Sequence, residues 1–302
     1  MTARGWYLLG APWDCSGLSR GEQLAPAALR AAGLSDLVPD DAGDAPIVID
    51  DDRRDEATGV RALAQTGRAA RVLADWLDDA AGRRPGRRPL VLGGDCSLLL
   101  GVLPWLRRDR GRVGLWFVDG HPDFLDGHSS PTGETADMDL ALLTGSGPER
   151  LTAPAGVTAP LVAPADVVLV GHRTCDLDPE AAAEVARLPD SIRRLDARTV
   201  VDAPRRCGER VAALLADVDG GVWLHVDCDV LDPAVMPAVS YPEPGGPTPG
   251  QLADLLEPLF ASPLLLGVSI ADFRPDLDAD GTHAATLVAL LRPLLSDDGH
   301  FP

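Results

Sequence analysis

Two separate stretches, Asp119-Gly120-His121-Pro122-Asp123 and Asp227-Cys228-Asp229-Val230-Leu231-Asp232-Pro233, carry metal-ligand side chains at alternate positions. Alternate residues of an extended chain share a face, so each stretch aims its carboxylates, and in the first its imidazole, at one point. Four aspartates and a histidine suit hard or borderline divalent ions such as Mn(II). Two such ions side by side bind and deprotonate a water. Asp119 and Asp227 each end an apolar run, 113–118 and 222–226, where an unpaired carboxylate is costly. A metal site accounts for that placement better than solvated loop acids do.

Short apolar or β-branched runs alternate along the chain with longer amphipathic patterns. Strands are expected at 6–10, 46–49, 89–92, 113–118, 167–170, 192–195, 222–226 and 264–270, and helices at 57–81, 97–105, 179–188, 205–216, 249–260 and 281–295. Segments 82–88 and 144–164, rich in Gly and Pro, read as loops. Strand and helix in alternation imply a three-layer α/β/α sandwich on a mainly parallel sheet of about eight strands. Ligands of such sheets gather at the carboxyl ends of the strands, where both aspartate stretches lie.

Further motifs stand in order around these two. Gly10-Ala11-Pro12, Arg20-Gly21 and 26–34 come first, then Gly93-Gly94-Asp95-Cys96-Ser97, and after the aspartate stretches Pro242–Gly246 and Ser269–Pro275. Their order and spacing resemble the ureohydrolase family of arginases, agmatinases and related amidinohydrolases over nearly the whole chain. The resemblance implies an arginase/deacetylase-like fold with one metal held by Cys96, Asp119, Asp123 and Asp227 and a second by Asp119, His121, Asp227 and Asp229. It also implies hydrolysis of a linear C–N bond in a guanidino or amidino compound, releasing urea or a urea analogue and an amine. Other readings are a deacetylase-like amide hydrolase, since histone deacetylases share this fold class, and a catalytically silent metal-binding relative.

This chain departs from the family pattern in three places. Cys96 stands where the family has a histidine, and a thiolate is softer than an imidazole; ligation by Cys96 is expected over a passive core thiol. Ala136 stands where arginases carry a proton-transferring histidine, which leaves His128 as a candidate substitute or as an exposed loop residue. Asp272 replaces the glutamate that grips the guanidinium. Asp123, Asp272 and His128 are therefore the candidate catalytic residues, and Leu125, Thr132, Glu134 and Asp178 the candidate substrate contacts. Leu125 and Glu134 replace neutral polar groups that hold the α-carboxylate of arginine in arginases, whereas Asp178 keeps the place that receives the α-amino group. A modified guanidine, an N-hydroxyguanidine such as N-hydroxyarginine, or an amine-tailed guanidine is expected over plain L-arginine. His225 shares a strand face with Asp227 and reads either as support for the ligands or as a core histidine.

The 302 residues suit one domain, 1–302, since apolar segments are evenly spread and no linker interrupts them. A net charge of −19 disfavours nucleic acid and anionic membranes as partners. The resemblance implies a small guanidino or amidino substrate, with a homo-oligomer as the one protein partner considered. Five cysteines without CxxC spacing argue against a disulfide framework. With no apolar span long enough for a membrane and no basic N-terminal region, a cytoplasmic protein is expected.

Overall fold

The computed structural model describes residues 5–296; the remaining ends of the expected 1–302 domain lie outside the described residues. The strands are β1 (Trp6–Ala11), β2 (Asp41–Asp44), β3 (Arg88–Gly93), β4 (Gly114–Val118), β5 (Val167–Val170), β6 (Arg193–Leu195), β7 (Val222–Asp227) and β8 (Leu265–Ala271). They form one sheet in the order β2-β1-β3-β8-β7-β4-β5-β6. Every strand pair is parallel. The longer helices are α1 (Leu63–Gly82), α2 (Leu99–Arg110), α3 (Pro179–Val185), α4 (Pro204–Leu214), α5 (Pro249–Phe260) and α6 (Thr282–Leu295).

The central strands read as continuous apolar runs because helices cover both faces. Side chains alternate between two cores. Trp116, Val118, Leu224 and Val226 pack with α4, α5 and α6. Leu115, Phe117 and Trp223 pack with α1 and α2 on the opposite face. Helix entry is fixed locally: Thr248 and Gln251 form a reciprocal capping box at the start of α5.

Two expectations need correction. The strand expected at 46–49 is not one; the edge strand is β2, Asp-Ala-Gly-Asp, which pairs with β1. Its polar sequence gives no apolar pattern. Arg30 anchors it, with Nε 2.7 Å from Asp41 and Nη1 2.6 Å from Asp44. Ile47 and Ile49 are buried without joining the sheet. The helix expected from 57 begins at Leu63, because Arg54 and Arg61 form an antiparallel bridge and Ala62 takes the left-handed conformation. All five cysteines are unpaired. No helix among the described residues is long and apolar enough to cross a membrane.

Candidate metal centre

Four adjacent strands, β3, β8, β7 and β4, end on one cavity of about 360 Å³. Cys96 follows β3, Asp272 follows β8, Asp227 closes β7, and Asp119 follows β4. Close backbone approach makes this convergence possible. A side chain at Gly94 would collide with the Trp13 carbonyl, and one at Gly120 would come within 2.8 Å of Asp229. The Gly94 carbonyl in turn accepts the Asp272 N–H at 2.7 Å, tying the end of β8 to the loop after β3.

The ligand side chains are oriented by their own backbones. Asp119 Oδ1 accepts the His121 N–H at 2.7 Å, and Asp227 Oδ1 accepts the Asp229 N–H at 2.6 Å. Asp229 reaches across to Gly120 N at 3.0 Å and to His121 Nδ1 at 2.8 Å. Cys96 Sγ contacts Asp227 Oδ2 and lies 3.8 Å from Asp119 Oδ2. Three donor groups result, each with its ligand atoms within 4.8 Å of one another: Cys96, Asp119, His225 and Asp227; Asp119, His121 and Asp229; and Asp227, Asp229 and Asp272. Asp119, Asp227 and Asp229 each belong to two groups, and Asp123 to none. Asp123 lines the same cavity, and both it and Asp272 stand at positive φ, 47° and 62°. Backbone strain of this kind concentrates at functional sites.

The donors fit divalent cations. Burial, reinforced by neighbouring carboxylates, pushes Asp119 up to about 8 and holds Asp123, Asp227 and Asp272 well above the carboxylate range. No basic side chain forms an ion pair with Asp123, Asp227 or Asp272 among the described residues. Burial also opposes ionisation of Asp229 and of His121, but their mutual charge and hydrogen bond prevail, lowering Asp229 and raising His121 to about 10. A cluster of acids that lacks its own cations is a place for metal ions.

The remaining expectations divide. Leu125 and Thr132 line the cavity with Ala136. Glu134 does not line it: its carboxylate is buried against Arg20 Nη2 at 2.7 Å and Tyr241 Oη at 3.3 Å, so its charge is met inside the protein. His128 is exposed on the turn after Asp126 and lies off the cavity lining. Asp178 is exposed and caps α3, accepting the Glu180 and Ala181 N–H groups at 2.9 Å. Asp232, the last acid of its motif, accepts the Gly245 N–H at 2.8 Å and so secures the Pro242–Gly246 loop.

The structure adds Asp137, Glu184 and Tyr241 to the lining. Asp137 Oδ2 accepts from Ser130 Oγ at 2.6 Å and Thr132 Oγ1 at 2.7 Å, while its buried Oδ1 has no partner. Burial pushes Asp137 up to about 6. Its position directly after Ala136 is the one sequence signal that could have identified it. Glu184 comes from α3 and accepts the Phe124 N–H at 2.8 Å. Its reach across the fold has no sequence signature.

Comparison with known proteins agrees with this geometry. The model of the arginase family matches residues 4–295. The arginase of Bacillus caldovelox is 30% identical over 301 residues, covering 96% of this chain and 97% of that protein. Its crystal structure superposes with a TM-score of 0.86, over 98% of this chain and 100% of that one. The Bacillus cereus arginase structure is 28% identical with a TM-score of 0.84, covering 97% and 98% of the respective chains.

Proposed function

This chain belongs to the arginase family, and from that premise we propose that it is a metal-dependent amidinohydrolase. It cleaves a linear C–N bond of a guanidino or amidino compound to urea, or a urea analogue, and an amine. The observation that carries the reading is the convergence of Cys96, Asp119, Asp227 and Asp272 from four strand ends around one acidic cavity. Cys96, Asp119, Asp123 and Asp227 would hold one ion, and Asp119, His121, Asp227 and Asp229 the other. The carboxylate-rich donors suit Mn(II). Two divalent ions would supply an acidified water as the nucleophile without a strong base.

The side chains do the rest. A guanidinium stays protonated at neutral pH and presents paired N–H donors, which a carboxylate such as Asp272 accepts in bidentate fashion. The amine that departs needs a proton. Asp137, pushed up to about 6 by burial, with a free oxygen and a place on the cavity wall, is suited to deliver it. The same carboxyl then recovers a proton from solvent.

The lining also bears on the substrate's tail. Asp123, Asp137, Glu184, Asp227, Asp229, Glu243 and Asp272 face the cavity, and neither arginine nor lysine does. Two divalent ions neutralise only part of that charge. A substrate carboxylate would meet Leu125, Ala136 and further acids without a counter-charge, whereas an amine or neutral tail would not. The best substrate is therefore a guanidine that lacks a carboxylate tail. A panel of guanidines and amidines, N-hydroxyarginine included, assayed with Mn(II) for the amine, amide or ammonia released together with urea or its analogue tests this. Turnover of a carboxylate-free guanidine above L-arginine is expected. Hydrolysis of none of them points to the catalytically silent relative, and L-arginine or N-hydroxyarginine as the best substrate overturns the account of the tail.

A further inference from the structure

His225 lies on β7, two residues before Asp227, and its side chain is fully buried. Its two ring nitrogens have different surroundings. Nδ1 is 2.8 Å from Ser269 Oγ, and that hydroxyl also accepts the Trp223 Nε1–H at 2.9 Å. Nε2 has no hydrogen-bond partner. The ring is held by stacking on Phe117, with centroids 5.2 Å apart and planes inclined at 27°.

An orphaned imidazole nitrogen in a fully buried position is costly unless something occupies it. A ring nitrogen of His225 lies within 4.8 Å of Cys96 Sγ and of carboxylate oxygens of Asp119 and Asp227. Since Nδ1 is engaged by Ser269, Nε2 is the nitrogen available. It is too far for a hydrogen bond with those groups, yet it has the spacing of donors around a shared ion, whose bonds of about 2.0–2.3 Å separate neighbouring ligand atoms by several ångströms.

We infer that His225 Nε2 is a metal donor, completing with Cys96, Asp119 and Asp227 a mixed thiolate, imidazole and carboxylate site. The inference rests on the metal-centre reading above and deepens it. Ser269 acts as positioning residue: it engages Nδ1, and metal binding at Nε2 selects the tautomer whose Nδ1–H the Ser269 hydroxyl accepts. The strand thus supplies an imidazole beside the position where the loop after β3 supplies a thiol. A donor set with sulfur and nitrogen favours Co(II) or Zn(II) over Mn(II). The two halves of the centre then differ in metal preference, the His121–Asp229 half remaining the harder one.

The test uses the full chain stripped of metal with a chelator. Titration of wild type with Co(II) is expected to develop a thiolate-to-cobalt charge-transfer band as the Cys96 half fills, and to reach two ions per chain. His225→Asn keeps an amide near the Nδ1 position, facing Ser269, but lacks Nε2. It is expected to bind Co(II) at the Cys96 half roughly tenfold more weakly or worse, with Mn(II) at the other half retained. Should that variant fail to fold by circular dichroism, cadmium NMR of wild type carrying nitrogen-labelled histidine decides. Coupling of both cadmium resonances to an imidazole nitrogen supports the inference, and coupling of one alone overturns it. Two ions in wild type with an unchanged titration of His225→Asn overturns this inference only. Wild type that binds no divalent ion overturns the metal centre itself.

Discussion

The two halves of the candidate centre use the same residue types and solve the charge problem differently. Around His121 and Asp229, a protonatable imidazole sits 2.8 Å from its carboxylate, which also receives the Gly120 N–H, so this half is balanced by the protein. Around Cys96 and Asp227, a thiol, two carboxylates and a neutral buried histidine meet; His121 comes within 3.9 Å of Asp119, and no cation pairs with Asp227 among the described residues. Burial pushes the Cys96 thiol up and His225 down to about 3. Only protons or a metal can relieve the second half. The lesson is that a buried acidic cluster becomes a metal site where the fold withholds internal counter-charges.

The largest effect is expected where the halves share a residue. Asp227→Ala or Asp119→Ala removes a donor from both and should lower activity by roughly a thousandfold, about 4 kcal/mol, with loss of bound metal. Elemental analysis of the purified variant checks it, and full metal content in Asp227→Ala contradicts the assignment. Single-half changes separate the comparison. Cys96→Ala should deplete one ion and His121→Ala the other, and Cys96→His should raise Mn(II) occupancy at its own half. Mn(II) titration of metal-free wild type, Cys96→Ala and Cys96→His reads this directly; coincident curves would make Cys96 a passive thiol.

Next in size is Asp137→Asn, which should lower kcat roughly a hundredfold while leaving the metal content intact. An unchanged kcat and pH profile would place the proton donor elsewhere.

The pH dependence of stability probes the unbalanced charge. Asp137 at about 6 and Asp119 at about 8 lie above their ordinary value of 3.8, and His121 at about 10 lies above its 6.5. In each case the folded state holds a proton that the unfolded chain has released. Metal-free stability therefore falls as pH rises through each such window, from about 4 up to about 8 for the carboxyls. Bound divalent ions take the place of those protons, so the loaded protein should lose little. Thermal melts at about pH 5 and pH 8, with and without Mn(II), test the sign. A metal-free protein that gains stability toward pH 8 would show the carboxylates to be balanced already.

The smallest effect belongs to the residues the fold set aside. Asp178→Ala should cost about 1 kcal/mol of stability through loss of a helix cap, with kcat/KM on the best guanidine unchanged. A selective rise in KM would return Asp178 to the substrate site.

Much of the centre was legible because its information is local. Alternate spacing in 119–123 and 227–229, placed after apolar runs, specifies ligands at strand ends, and seven of the eight parallel strands coincide with such runs. The surroundings of His128, Asp178 and Glu134 were not legible for a shared reason. Each was placed by its position along a loop, whereas what a loop side chain meets depends on segments remote in sequence. Glu134 is neutralised by Arg20 from the opening loop, and Asp178 is consumed by the first turn of α3. Edge strand β2 was missed because arginine pairing and backbone hydrogen bonds hold it, with no apolar period to read.

By itself, then, the sequence determined the parallel α/β architecture and the donors carried in the two aspartate stretches, since strand periodicity fixes which side chains share a face. Only the tertiary structure decided which acids remain without counter-charge, which carboxyl stands ready to give a proton, and where an orphaned imidazole faces the cluster. Those are properties of distance and desolvation among segments far apart in the chain, and no spacing along it encodes them.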